Sequence, residues 1–145
     1  MKIYLDTCCL NRPFDDQSNL RVRLESEAVK MILLLCEQKQ CCLISSKIAE
    51  FEIANTPDEA KRSKLKFISG LAEQIIEIDA RIALRAKEFE KTGMQAFDSL
   101  HLACAETSAD VFLTVDDKFL KLALKVEDLK VQARNPVQWL SEVLV

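Results

Sequence analysis

The chain has 145 residues, 49% hydrophobic and 30% charged, a balance that suits one globular domain over residues 1–145 and excludes global disorder. Its 20 Lys and Arg against 23 Asp and Glu leave a net charge of −3, so nucleic-acid contacts have to be local. No apolar run approaches the ~18 residues of a membrane span, and Met1-Lys2-Ile3-Tyr4-Leu5-Asp6 lacks the apolar core of a secretory signal, so a cytoplasmic protein with no membrane segment is expected.

Lys2 to Leu5 reads as a strand ending at Asp6, followed by a polar loop through Asn11 to Asn19. Leu24, Ala28, Met31, Ile32 and Leu35 then recur at helical spacing from Leu20 onward and predict a helix packed on a sheet. Cys41 to Ile44 predicts a second strand, and Ser45 or Ser46 caps a helix carrying Ile48, Phe51 and Glu52. Thr56-Pro57-Asp58 restarts a helix that ends near Gly70, Gln74 to Ile78 is a third strand, Asp79 caps the next helix and Gly93 closes it. A helix over Ala96 to Ser108, a strand over Val111 to Thr114, a helix over Asp117 to Leu124, a strand over Leu129 to Ala133 and a helix opened by Pro136 complete the chain. Short strands alternating with helices imply a parallel sheet covered on both faces.

The six cysteines include two adjacent pairs, Cys8-Cys9 and Cys41-Cys42, and no C-x-x-C spacing or histidine cluster. Reduced, largely buried thiols are expected rather than disulfides or zinc ligands.

Acids fall at telling places. Asp6 ends the first strand, Glu52 rides the second predicted helix, Asp98 opens a later one and Asp116 follows the fourth strand. In open parallel sheets, groups beyond the carboxyl ends of strands converge on one crevice. Clustered carboxylates repel unless a cation neutralises them, and oxygen-only donors favour a hard ion such as Mg²⁺ or Mn²⁺, which suits phosphodiester chemistry.

Tyr4-Leu5-Asp6-Thr7, Ala96-Phe97-Asp98-Ser99-Leu100-His101-Leu102-Ala103 and Phe112-Leu113-Thr114-Val115-Asp116-Asp117-Lys118-Phe119 resemble the successive signatures of the PIN-domain family, over nearly the whole chain. The resemblance implies a three-layer α/β/α sandwich with a central, mainly parallel five-stranded sheet. It implies an Mg²⁺- or Mn²⁺-dependent ribonuclease, since many members are ribonucleases, including toxins of the VapC type. It places Asp6, Asp98 and Asp116 at the metal-site aspartates, with Thr114 as the accompanying hydroxyl. The family glutamate commonly follows a serine by six residues, as Glu52 follows Ser46, with Glu50 the competing choice. Asp117 is expected to point elsewhere as a cap or supporting acid, and Asn11 to help hold a water or phosphate.

His101, the only histidine, lies near Asp98 on the same helix and is expected to be buried behind the site. The run Lys61-Arg62-Ser63-Lys64-Leu65-Lys66 is either a solvated face or a phosphate-positioning strip, a role Arg12, Arg21 and Arg23 share near the first acid. Aromatics are sparse, no base-stacking platform is visible, and Trp139 belongs to the core or a dimer surface.

The leading expectation is therefore an endoribonuclease leaving a 5′-phosphate, the toxin of a type II toxin–antitoxin pair. Its expected partners are RNA, an antitoxin protein and a second copy of itself, joined through Leu20 to Cys36 or Val137 to Val145. The alternative is a non-catalytic RNA-binding or protein-interaction scaffold. A receiver domain needs an early acidic pair that is absent here, and Asp6-Thr7-Cys8 denies the D-x-D of a haloacid-dehalogenase-like phosphatase.

Overall fold

The computed structural model describes residues 1–144. Among them five strands form one parallel sheet in the order β3-β2-β1-β4-β5. In chain order the elements are β1 (Lys2–Leu5), α1 (Thr7–Asn11), a 3₁₀ turn (Arg12–Phe14), α2 (Leu20–Glu37), β2 (Cys42–Ser46), α3 (Lys47–Ala54) and α4 (Glu59–Ser69). They continue with β3 (Gln74–Ile76), α5 (Ala80–Glu90), α6 (Ala96–Ser108), β4 (Val111–Leu113), α7 (Asp117–Leu124), β5 (Gln132–Arg134) and α8 (Pro136–Val143).

The sheet alternates its side chains between two buried layers, as a strand must. Tyr4, Ile44, Phe112 and Ala133 pack on one face with Ile82, Phe89 and Leu102 of α5 and α6. Ile3, Leu5, Leu43, Val111 and Leu113 pack on the other with Val29, Ile32, Leu65 and Trp139 of α2, α4 and α8. That is the three-layer α/β/α sandwich expected, and Trp139 is core.

The helix caps follow from sequence. Asn19, Ser46, Asp58, Asp79, Asp116 and Asn135 each accept a backbone N–H from the first turn of the helix that follows. Gly93 takes φ +106°, a left-handed geometry that favours glycine, two residues beyond the C-cap Lys91 of α5.

Four expectations need correction. A five-residue helix, α1, stands directly after Asp6 where a loop is expected, because Asp6 O accepts the Cys9 and Leu10 N–H groups. On α2 the buried stripe is Glu25, Ala28, Val29, Ile32 and Cys36, leaving Leu24 and Met31 exposed. A charged residue within the stripe hid it from apolar periodicity. The third strand stops at Ile76, with Ile78 partly exposed. The fifth begins at Gln132, not Leu129, its register fixed by ladder contact with β4 and by Thr114 N–H donating to Arg134 O.

Candidate functional site

The strand order reverses at β1: β2 lies on one side of it and β4 on the other. Beyond the carboxyl ends of β1 and β4 the flanking connections diverge to opposite faces, which opens a crevice there. Asp6 enters it directly after β1. It is the N-cap residue of α1 by backbone geometry, yet its side chain makes no cap hydrogen bond, so the carboxylate serves something else. Although Asp6 is buried, its Oδ2 is engaged: Thr114 Oγ1 donates to it at 2.8 Å and Cys8 Sγ at 3.1 Å.

Thr114 also accepts the Asp116 N–H at 3.1 Å. One hydroxyl thereby ties the ends of β1 and β4 together and fixes where Asp116 begins. Asp116 Oδ1 accepts from Phe119 N at 3.1 Å, so this acid both caps α7 and lines a small cavity shared with Asp98, Gln95 and Lys118. Asp98 stands in the first turn of α6. Burial, then the negative charges of Asp6 and Asp116, push its carboxyl up to about 6 despite the favourable helix terminus.

Glu52 reaches the crevice from α3. Its Oε1 accepts from Thr7 Oγ1 at 2.9 Å and pairs with His101 Nε2. Burial raises the Glu52 carboxyl, but the hydrogen bond and charge of His101 together with the Thr7 hydrogen bond outweigh it and hold the group below its usual range. His101 is buried on α6; desolvation lowers its proton affinity, but the bond to Glu52 with the charges of Asp6, Glu52 and Asp98 raises it by more, for a net increase. The ring's other nitrogen, Nδ1, lies 2.6 Å from Tyr4 Oη, which in turn meets Ser46 Oγ at 2.6 Å. A hydrogen-bonded line therefore runs Ser46, Tyr4, His101, Glu52, Thr7 and pins α3 and α6 to β1.

The remaining candidates lie apart from the acids. Glu50 pairs with Lys47 at 3.0 Å and borders a groove with Lys66 and Gly70. Asp117 makes a two-armed pair with Arg21, both arms at 2.6 Å. Arg12 binds Glu25 through Nε and Nη2 at 2.9 and 2.7 Å, and Asn11 Nδ2 donates to Thr7 O at 3.0 Å. Sequence reasoning missed Tyr4 and Ser46 as supports of His101, and the buried Glu25 as the hub for Arg12, Arg21 and Asn135. For Glu25 the only available signal was its a/d-like spacing to Val29, Ile32 and Cys36. All six cysteines are free thiols.

Larger hollows exist elsewhere, one of about 470 Å³ beside Arg85 and Glu106 and one of about 570 Å³ beside Glu50. Neither includes Asp6, Asp98 or Asp116, and the convergence of acids rather than size picks out the crevice. Among the described residues no three His, Cys, Asp or Glu side chains stand close enough together to hold a metal ion as placed. In kind the donors fit a hard divalent cation: they are carboxylate oxygens, and the raised Asp98 reflects burial and neighbouring negative charge that His101 only partly offsets. No helix among the described residues is long and apolar enough to cross a membrane.

The fold is shared with solved VapBC and FitAB structures. VapBC2 from Rickettsia felis, bound to a DNA fragment from the promoter, matches with a TM-score of 0.60 at 19% identity, over 93% of this chain and 98% of that one. FitAcB from Neisseria gonorrhoeae matches with a TM-score of 0.60 at 21% identity, over 92% and 97%. VapBC-1 from nontypeable Haemophilus influenzae matches with a TM-score of 0.59 at 16% identity, over 94% and 98%. No curated protein matches the chain in sequence. The family model described as PIN domain matches residues 3–125, most of the chain and every acid of the crevice, and the chain belongs to the PIN domain family.

Proposed function

We propose that this chain is a metal-dependent endoribonuclease, with Asp6, Asp98 and Asp116 as the residues that hold Mg²⁺ or Mn²⁺ and Glu52 as the fourth catalytic acid. The observation that carries the proposal is geometric: Asp6 and Asp116 follow the two strands at the reversal of strand order, tied together through Thr114, and Asp98 lines one cavity with Asp116. The raised Asp98 carboxyl, pushed up to about 6 by burial and by Asp6 and Asp116, supports a site that a cation would relieve. When bound, a divalent ion lowers the pKa of a water and offsets charge on the phosphate.

The chain's own residues do the rest. Thr114 and Cys8 fix Asp6 through Oδ2. Thr7 and His101 both engage Oε1 of Glu52, so Oε2 is the oxygen that takes the proton of the attacking water. Lys118 beside Asp98 and Asp116 offers positive charge to a phosphate oxygen. Water adds to phosphorus as its proton passes to Glu52, the bond to O3′ breaks, and the departing O3′ takes a proton from solvent, leaving a 5′-phosphate and a 3′-hydroxyl.

The likeness to VapBC and FitAcB assemblies supports a cytoplasmic toxin of a type II pair, neutralised by an antitoxin protein. A homodimer is part of the same proposal; α2 leaves Leu20, Leu24, Met31 and Leu34 exposed for such a seam, and the alternative seam, Val137 to Val145, ends outside the described residues.

The test incubates wild type and Asp98→Asn with labelled structured and single-stranded RNAs, in Mg²⁺, Mn²⁺ or EDTA, and maps product ends. Cleavage by wild type that disappears in EDTA and in the variant supports the proposal. Uncut RNA across the panel, with folded protein that binds Mn²⁺, favours the non-catalytic scaffold instead.

A further inference from the structure

The basic groups near the crevice are unevenly committed. Arg12 and Arg21 are bound to Glu25, and Arg21 to Asp117 as well. On α4, Lys61 and Lys64 rest over the Phe14 ring at 5.6 and 5.9 Å, and Arg62 donates to Thr56 O. Helix α7 is different. Lys118, Lys121 and Lys125 are all exposed, and among the described residues none of the three is paired with a carboxylate: Asp117 spends both oxygens on Arg21, and Asp128 is held by Arg85. The Asp117 carboxyl is held below its usual range by the Arg21 bond above all, with Lys121 adding a lesser pull from a distance.

Spacing makes the three a stripe. Residues three, four and seven apart on a helix share a face, so Lys118, Lys121 and Lys125 run down one side of α7 while Phe119 and Ala123 are buried on the other. The stripe begins in the crevice, where Lys118 lines the cavity of Asp98 and Asp116. Lys125 stands ~10.5 Å further along the axis and within about 20° of Lys118 around it, a run of about three nucleotides at the ~3.4 Å rise of a stacked strand. Local helix rules disfavour the arrangement. Lys118 is in the first turn, at the positive end of the dipole, and Lys118–Lys121 and Lys121–Lys125 are like-charge pairs at helical spacing. Lys121 and Lys125 alone suit the negative end of the helix; Lys118 does not, and no acid offsets the three. Departures from local rules concentrate where function requires them, and a polyanion is the partner that relieves this one.

We infer that the lysine stripe of α7 is a track for the phosphate backbone of RNA, leading the strand away from the cut phosphate along α7 and not over α4. The inference rests on the nuclease proposal above and adds the path of the substrate. Lys118 meets the phosphate nearest the acids, and Lys121 and Lys125 meet the phosphates that follow. Phosphate contacts fix register and orientation and carry no sequence information, so the track positions RNA without choosing its bases.

The probe is a short labelled single-stranded RNA of mixed sequence, bound to the Asp98→Asn protein in EDTA, where it is not turned over, and followed by anisotropy as KCl is raised. Each lost phosphate contact lowers the slope of log K against log salt by about 0.7. Lys121→Gln/Lys125→Gln is therefore expected to reduce the slope by about 1.4, which is about a 25-fold loss of affinity at ~0.1 M salt and almost none near ~1 M. Its Tm is expected to hold or rise, because two like-charge pairs are removed. Lys121→Arg/Lys125→Arg restores the slope, and Lys61→Gln/Lys64→Gln on α4 leaves it unchanged. In cleavage assays with Asp98 intact, the double Gln variant of α7 raises KM at low salt while kcat stays nearly constant. An unchanged slope in that variant overturns the inference. So does an equal fall in the α4 variant, which would reveal a diffuse effect of net charge. RNA binding with the expected slope but no cleavage by wild type would sink the nuclease proposal and leave the track; cleavage whose KM ignores Lys121 and Lys125 would do the reverse.

Discussion

Thr114 Oγ1 donates to Asp6 Oδ2 at 2.8 Å while accepting the Asp116 N–H at 3.1 Å, so a single hydroxyl sets the spacing of two acids that follow different strands. Valine has the shape of threonine without the hydroxyl and leaves a buried carboxylate oxygen with one fewer donor. Thr114→Val is expected to lower stability by about 1–2 kcal/mol and RNA cleavage by about ten-fold or more, whereas Thr114→Ser retains most of both. Urea unfolding and single-turnover cleavage of the three proteins check this; a Val variant with wild-type activity would remove Thr114 from the site.

Glu50 and Glu52 are two residues apart on α3 but face different surroundings. Glu50 is exposed and paired with Lys47, and Glu52 sits against Thr7 and His101. Glu52→Gln is expected to cut kcat by about a hundred-fold with KM little changed, and Glu50→Gln to stay within about two-fold of wild type, since exposed pairs contribute little. Equal losses from both substitutions would mean that helix α3, rather than one carboxylate, is what the site requires.

These acids were legible in the sequence because each occupies a place that local rules mark: after a strand for Asp6, in a first turn for Asp98, at a helix cap for Asp116, six residues past a capping serine for Glu52. Their mutual geometry was not, since Thr7 and His101 meet Glu52, and Tyr4 meets His101, only through the packing of α3 and α6 on β1. The short helix α1 was obscured because Asp6 and Thr7 combine turn chemistry with a buried role.

Asp98 predicts a specific dependence on pH. Its carboxyl is raised from the ordinary 3.8 to about 6, so the folded state binds the proton more tightly than the unfolded one. Stability therefore falls as pH rises from about 4 to about 6 and stays reduced above that. Asp98→Asn removes the effect. In EDTA near pH 7.5 the variant is expected to melt about 2 °C above wild type, a modest figure because the group is partly solvated, and the difference should vanish near pH 3.5. Mn²⁺ is expected to raise the Tm of wild type and leave the variant unmoved.

The Glu52–His101 pair acts in a different window. Glu52 is held below its ordinary 4.5, so its contribution is present above that pH and lost as pH falls through the folded value. His101 is held above its ordinary 6.5, so its contribution is full below that pH and lost as pH rises through the folded value. The pair supports the fold most between pH 4.5 and 6.5. His101→Gln is expected to destabilise most within that range and progressively less as pH rises above 6.5 through the folded value. Denaturant midpoints of both proteins across pH check it, and a pH-independent difference would show that His101 contributes by packing alone.

Arg12 separates a structural from a substrate role. Its guanidinium holds the buried Glu25 through Nε and Nη2, beside further contacts from Arg21 and Asn135. Removing it leaves a buried carboxylate short of donors but not bare, so Arg12→Ala is expected to lose about 1–3 kcal/mol of stability. Cleavage per folded molecule should stay within about two-fold, because loss of an arm that touches no RNA does not change phosphate contacts. If Arg12 instead positioned a phosphate, KM would rise and its salt dependence would weaken with little change in the unfolding midpoint. Arg12→Ala/Glu25→Gln sharpens the comparison: neutralising the buried acid should recover part of the lost stability, a recovery that a phosphate-binding arginine would not give.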